Sequence, residues 1–128
     1  MELMLSESPS VEVKFTDEFQ HRLRALSKKY RQIRSDIQPV IKQLQAGEFV
    51  GDQITGTGYT VFKVRVRNSN IQKGKSAGYR LIYQLKSHTR VLLVLIYSKL
   101  DQTDITAEEI QLTIAKFEEN DENFFTDG

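Results

Sequence analysis

The chain contains no cysteine among its 128 residues, which excludes disulfides, thiolate catalysis and cysteine-ligated zinc together. Only His21 and His88 could supply an imidazole. The longest apolar run, Val91 to Tyr97, is far too short to span a bilayer. Met1 to Ser10 lacks the cationic start and apolar stretch of a secretory signal, so the expectation is a soluble cytoplasmic protein. A further absence is more informative. No Asp or Glu occurs between Gln53 and Leu100, where nine lysines and arginines stand: Lys63, Arg65, Arg67, Lys73, Lys75, Arg80, Lys86, Arg90 and Lys99. The whole-chain charge of +1 conceals this, because all 17 acids lie elsewhere. Positive charge segregated in this way attracts polyanions, above all nucleic acid.

What is present reads as one domain, long enough to close a core unaided. Residues 1–10 form a flexible polar leader, 11–117 the domain, and 118–128 an acidic flexible tail. Val11, Val13 and Phe15 alternate with Glu12 and Lys14 as a strand does. Thr16 caps a helix with Asp17 and Glu18 in its first turn and Phe19, Leu23, Leu26 and Tyr30 as its apolar stripe. A second helix carries Ile33, Ile37, Val40, Ile41 and Leu44 inward and stops at Gly47. Pro39 is best tolerated in a first turn, which places the cap at Ser35 and the break between helices near Arg34.

Glu48 to Gly58, with three glycines, reads as a loop. In the strand Tyr59 to Arg67, Phe62, Val64 and Val66 point one way and Lys63, Arg65 and Arg67 the other. The polar connection Asn68 to Gly78 is long for a hairpin and marks a functional loop. Tyr79 to Lys86 and Val91 to Tyr97 complete an antiparallel meander, the last strand apolar enough for burial on both faces. In the former strand Tyr79, Leu81, Tyr83 and Leu85 share one face and Arg80, Ile82 and Gln84 the other. Thr106 to Glu109 is a capping box, with Ile105 and Ile110 as its hydrophobic staple, and opens a helix from Ala107 to about Phe117 with Ile110, Ile114 and Phe117 inward. The Gly56-Thr57-Gly58 loop lacks the spacing and the following Lys-Ser/Thr of a nucleotide-binding loop.

Several stretches together resemble the RelE/ParE superfamily of bacterial toxins, and within it the HigB-like branch. They are Gly56-Thr57-Gly58, Phe62-Lys63-Val64-Arg65-Val66-Arg67, Lys73-Gly74-Lys75-Ser76-Ala77-Gly78-Tyr79-Arg80-Leu81-Ile82-Tyr83, and Ile96-Tyr97-Ser98-Lys99 followed by Asp104-Ile105-Thr106. The resemblance covers Val11 to Phe117. It implies an α+β fold, microbial-ribonuclease-like, with two N-terminal helices packed on a mostly antiparallel sheet and a short C-terminal helix. It further implies the toxin of a type II toxin-antitoxin system, a metal-independent endoribonuclease that cuts mRNA on the translating ribosome. Such a toxin is silenced by a cognate antitoxin protein and needs no cofactor, metal or membrane. By position, Lys63, Arg65, Arg80 and Lys99 match the family's catalytic cations; Arg67 from the cationic strand row, Lys73 and Lys75 from the polar loop, and Tyr97 at the strand end are read from the residues themselves as RNA-binding candidates. Some RelE-type members carry a tyrosine early in the last helix, where this chain has Ile105 and Thr106.

The residues fit that chemistry. Attack of a ribose 2′-hydroxyl on the adjacent phosphate requires a proton acceptor, stabilisation of the phosphorane, and a proton for the leaving 5′-oxygen. The arginine fork of Arg80 suits two phosphoryl oxygens. Lys63 would serve as base if neighbouring cations such as Arg65 disfavour its charged form. Two rival readings are a ParE-like inhibitor of DNA gyrase and a non-catalytic RNA- or antitoxin-binding module.

Overall fold

A computed structural model describes residues 10–71, 77–102 and 104–127, with 121–127 as backbone alone. Lys73, Lys75 and nearly all of the expected leader lie outside the described residues. The order of elements is β1 (Glu12–Phe15), α1 (Asp17–Lys29), α2 (Ile33–Gln45), β2 (Asp52–Ile54), β3 (Val61–Val66), β4 (Tyr79–Ser87), β5 (Arg90–Ser98) and α3 (Ala107–Asp127). The strands form one sheet in the order β1-β5-β4-β3-β2. β1 runs parallel to β5 and every other pairing is antiparallel. This is the expected α+β architecture, with two helices before the meander and one after it.

The sheet is buried on both faces. On one side α1 and α2 contribute Phe19, Tyr30, Ile33, Ile37 and Leu44 against Val64, Val66, Tyr79, Leu81 and Tyr83. On the other, α3 lays Ile110 and Ile114 over Val61, Ile82, Leu92, Val94 and Leu95. A helix on each face explains why β5 is apolar at every inner position, because neither of its faces meets water. Thr16 caps α1 as expected, accepting from the Phe19 amide at 2.9 Å, and Thr106 accepts from the Glu109 amide at 3.1 Å.

Four local expectations are corrected. α2 begins at Ile33 with Gln32 as its cap, not after Ser35, whose hydroxyl instead donates to the Gln32 carbonyl at 3.0 Å. Pro39 therefore lies inside the helix, and the burial of Ile33, Ile37, Val40 and Leu44 outweighs the amide that proline cannot offer. The glycine-rich stretch contains the edge strand β2, paired with β3 from Asp52↔Lys63 to Ile54↔Val61. Gly51 permits that approach: its φ is +106°, and a Cβ there would sit 2.7 Å from the Lys63 carbonyl oxygen. β3 ends at Val66, so Arg67 has left the strand. Finally, α3 runs on to Asp127 instead of stopping near Phe117, because no glycine or proline interrupts residues 107–127.

A bulge in β5 decides which side chains face α3. Ile82 pairs with Leu95 and Tyr83 with Leu93, which leaves Val94 without a partner on β4. Strict alternation would put Tyr97 on the same side as Val91 and Leu93. The extra residue reverses the faces beyond it, so Leu95 and Tyr97 join the α3 side and Ile96 the α1/α2 side. Thr16 secures the bulge: its hydroxyl donates to the Val94 carbonyl at 2.8 Å, while its amide donates to the Leu93 carbonyl at 3.0 Å.

Candidate active site on the α3 face of the sheet

The register of the central strands brings cations from separate segments into one row. Arg65 of β3 is the Cα partner of Arg80 of β4, and Arg80 is the partner of Tyr97 of β5. Lys63 is opposite Ile82 and shares the face of Arg65 two positions along the strand. Lys99 follows β5 directly, its amide donating to the Gly78 carbonyl at 2.9 Å. Gly78 has to be glycine, since a Cβ would lie 2.0 Å from the Val66 carbonyl oxygen. The row thus depends on β3 and β4 closing tightly at this end.

Arg80 is the buried member, 5 % exposed, and its Nη1 donates to the Tyr79 carbonyl at 3.2 Å. Burial lowers its pKa, and the positive charge of Arg65 lowers it further. Arg65 itself is exposed, so the buried guanidinium of Arg80 lies beside a like charge at the edge of solvent, an arrangement suited to an incoming anion.

Asp104 completes the cluster, and sequence reasoning left it out of the site. It lies 3.6 Å from Lys63 Nζ and accepts from the Tyr97 hydroxyl at 3.4 Å and from the Ile105 amide at 2.8 Å. That amide, with Lys63, the Tyr97 hydroxyl and Lys99 adding to it, holds the Asp104 carboxyl below its usual range. The Tyr97 ring is 3 % exposed and packs with Ile105 and Ile110, so it offers the site its hydroxyl rather than an open face. Burial raises its pKa, with Asp104 adding. The sequence signals for Asp104 were its place between Lys99 and the capping box and its part in the Asp104-Ile105-Thr106 stretch of the resemblance.

Arg22 fixes the segment that carries Asp104. From α1 it bonds Glu109 at 2.7 Å and Glu18 at 2.8 Å, so the start of α3 is tied to α1. Arg67 is exposed and borders a groove of about 480 Å³ with Asp36, Pro39 and Val40 of α2; Arg65 lines the same groove, while Lys63, Arg80 and Lys99 do not. His21 lines a separate cavity between α1 and α3, and His88 is in the exposed β4–β5 turn. Among the described residues no three His, Asp or Glu side chains come together as a metal site would need, and no helix is long and apolar enough to cross a membrane.

A two-sided α+β sheet with basic side chains converging at one end defines the class. The family description "RelE toxin of RelE / RelB toxin-antitoxin system" matches residues 16–123. The chain belongs to this family: it is a RelE toxin of a type II toxin-antitoxin system, and its cognate partner is a RelB-type antitoxin. No curated protein matches the chain.

Proposed function

We propose that this toxin is a metal-independent endoribonuclease of the HigB-like branch that cleaves mRNA on the ribosome in the cytoplasm. The observation that carries the reading is the cross-strand row Arg65, Arg80, Tyr97 with Lys63 beside it. The Arg80 guanidinium, buried against a second arginine, grips the scissile phosphate and stabilises the phosphorane as charge builds on its oxygens. Lys99, at the end of the row, adds a further positive charge.

Proton transfer falls to Lys63 and Asp104. With a carboxylate 3.6 Å away, Lys63 is suited to giving a proton to the 5′-oxygen rather than taking one. Asp104 is ionised throughout the neutral range and accepts the 2′-hydroxyl proton. The 2′-oxygen then bonds to phosphorus as the bond to the 5′-oxygen breaks, leaving a 2′,3′-cyclic phosphate and a 5′-hydroxyl. A carboxylate of depressed pKa is a weak base, so binding and charge stabilisation supply most of the rate. Arg67, Lys73 and Lys75 provide outer contacts to the RNA backbone.

Mapping the 5′ ends of a translated mRNA, with and without purified protein, tests the reading. New breaks in register with codons are expected for the wild type and lost in Arg80→Ala and Lys63→Ala. Breaks made equally well by both variants, or inhibition of gyrase supercoiling without any breaks, would overturn it.

A further inference from the structure

The α3 face carries a second polar cavity, at the opposite end of β4 from Arg80. It measures about 590 Å³ and is bounded by Tyr59, Thr60, Gln84, Lys86, Ser87, Arg90 and Glu118, with Leu85. Arg80, Ile82, Gln84 and Lys86 share one face of β4, so the two places are roughly 20 Å apart along the strand. β3 joins them, with Arg65 and Lys63 near one and Thr60, just before the strand, at the other.

Two features of this cavity point to an anionic ligand, and a third points to a hydrogen-bond donor carried with it. Glu118 of α3 already puts a carboxylate into it, 3.9 Å from Lys86 Nζ and 3.5 Å from the Tyr59 hydroxyl. Arg90 adds a second cation, exposed and, among the described residues, in a long ion-pair contact of 3.8 Å with Glu12. Gln84 is 6 % exposed, and its Oε1 accepts no hydrogen bond among the described residues. A buried amide oxygen left unmatched costs the fold stability unless a donor reaches it.

We propose that this cavity is a second binding subsite for single-stranded RNA, taking a backbone phosphate outside the scissile one in the place the Glu118 carboxylate occupies. Lys86 and Arg90 neutralise the phosphate, the Tyr59 and Ser87 hydroxyls donate to its oxygens, and an amino or hydroxyl group of the same nucleotide satisfies Gln84. RNA is favoured over an acidic protein segment because the lining is hydroxyl, amide and cation, with Leu85 as its single apolar side chain. Glu118 is then an internal competitor that any anion has to displace.

This rests on the RNA-cleaving reading, and the test separates the two. A short, mixed-sequence, fully 2′-O-methylated oligonucleotide has no nucleophilic hydroxyl, so its binding is read without cleavage. Affinity is measured by fluorescence anisotropy over a range of KCl concentrations. For single strands each phosphate contact contributes about 0.7 to the salt slope, so Lys86→Gln with Arg90→Gln, which removes the one contact made here, lowers the slope by roughly 0.7. Glu118→Gln acts oppositely and tightens binding a few fold at low salt, a gain that damaged folding could not produce. An unchanged slope together with unchanged affinity in Glu118→Gln overturns the subsite, even if mRNA cleavage persists. Loss of antitoxin binding without any change in RNA binding overturns it as well. The expected slope change in a protein that cuts no mRNA would sink the nuclease reading and leave the subsite standing.

Discussion

Removing the Thr16 hydroxyl should destabilise the protein and misplace Tyr97 together. Thr16 is 2 % exposed, and its hydroxyl serves two groups: it accepts from the Phe19 amide at 2.9 Å and donates to the Val94 carbonyl at 2.8 Å. Thr16→Val keeps the shape and deletes both bonds. Loss of an N-cap costs about 1 kcal/mol, and a buried carbonyl left without a donor costs about 1–3 kcal/mol, so the sum is roughly 2–4 kcal/mol. For a domain of this size that corresponds to a fall in Tm of roughly 7–14 °C. Thr16→Ser retains the hydroxyl and should stay within about 1 kcal/mol of wild type. Because Val94 is the bulge that sets the face of Tyr97, cleavage by Thr16→Val should also fall at a temperature where the variant is fully folded, by up to about 10²-fold if the row shifts by an ångström. Urea unfolding and 5′-end mapping read the two effects. A Thr16→Val protein within about 0.5 kcal/mol of wild type that cleaves normally would show that the hydroxyl does not hold the bulge.

Gly78→Ala forces a methyl to within 2.0 Å of the Val66 carbonyl oxygen, and the overpacking should cost about 1–3 kcal/mol in urea unfolding; full stability in that assay would refute the close contact. Arg80→Lys keeps the charge and loses the planar fork, so mRNA cleavage should drop while stability changes little, and equal cleavage would remove the case for two-oxygen recognition. Burial raises the Tyr83 hydroxyl from 10.0 to about 12. Above pH 10 the unfolded chain releases that proton before the native one does, so stability present in full below pH 10 declines by about 1.4 kcal/mol per pH unit until about pH 12. Urea midpoints taken across that window, with Tyr83→Phe losing this share of the slope, check the sign.

The fold was largely legible because its signals are local. Alternation placed Phe62, Val64 and Val66 opposite Lys63 and Arg65, and β4 divides as its sequence does, with Tyr79, Leu81 and Tyr83 against Arg80 and Ile82. The side of Tyr97 was not legible, since a bulge inserted into seven consecutive apolar residues leaves no mark on the pattern. β2 was hidden because Asp-Gln-Ile shows no alternation. Its evidence is tertiary, the approach of Gly51 to the Lys63 carbonyl. Asp104 was missed for a similar reason: its contacts with Lys63 and Tyr97 span the chain from β3 to the loop before α3.

The charge pattern read from the sequence also changes meaning in three dimensions. Residues 54–99 contain no acid, yet the face they build is not free of acid, because the C-terminal segment brings carboxylates back to it. Asp104 lies against Lys63 and Glu118 against Lys86, while Glu109, bound to Arg22, anchors the segment between them. These surface pairs are weak in water and give way to a phosphate at little cost. The Arg65–Arg80 pair differs in kind, since Arg80 is buried and the two like charges oppose one another. Packing rather than the count of lysines therefore sets Arg80 apart on this face, and a phosphate entering there would meet a guanidinium fixed in place beside a second cation.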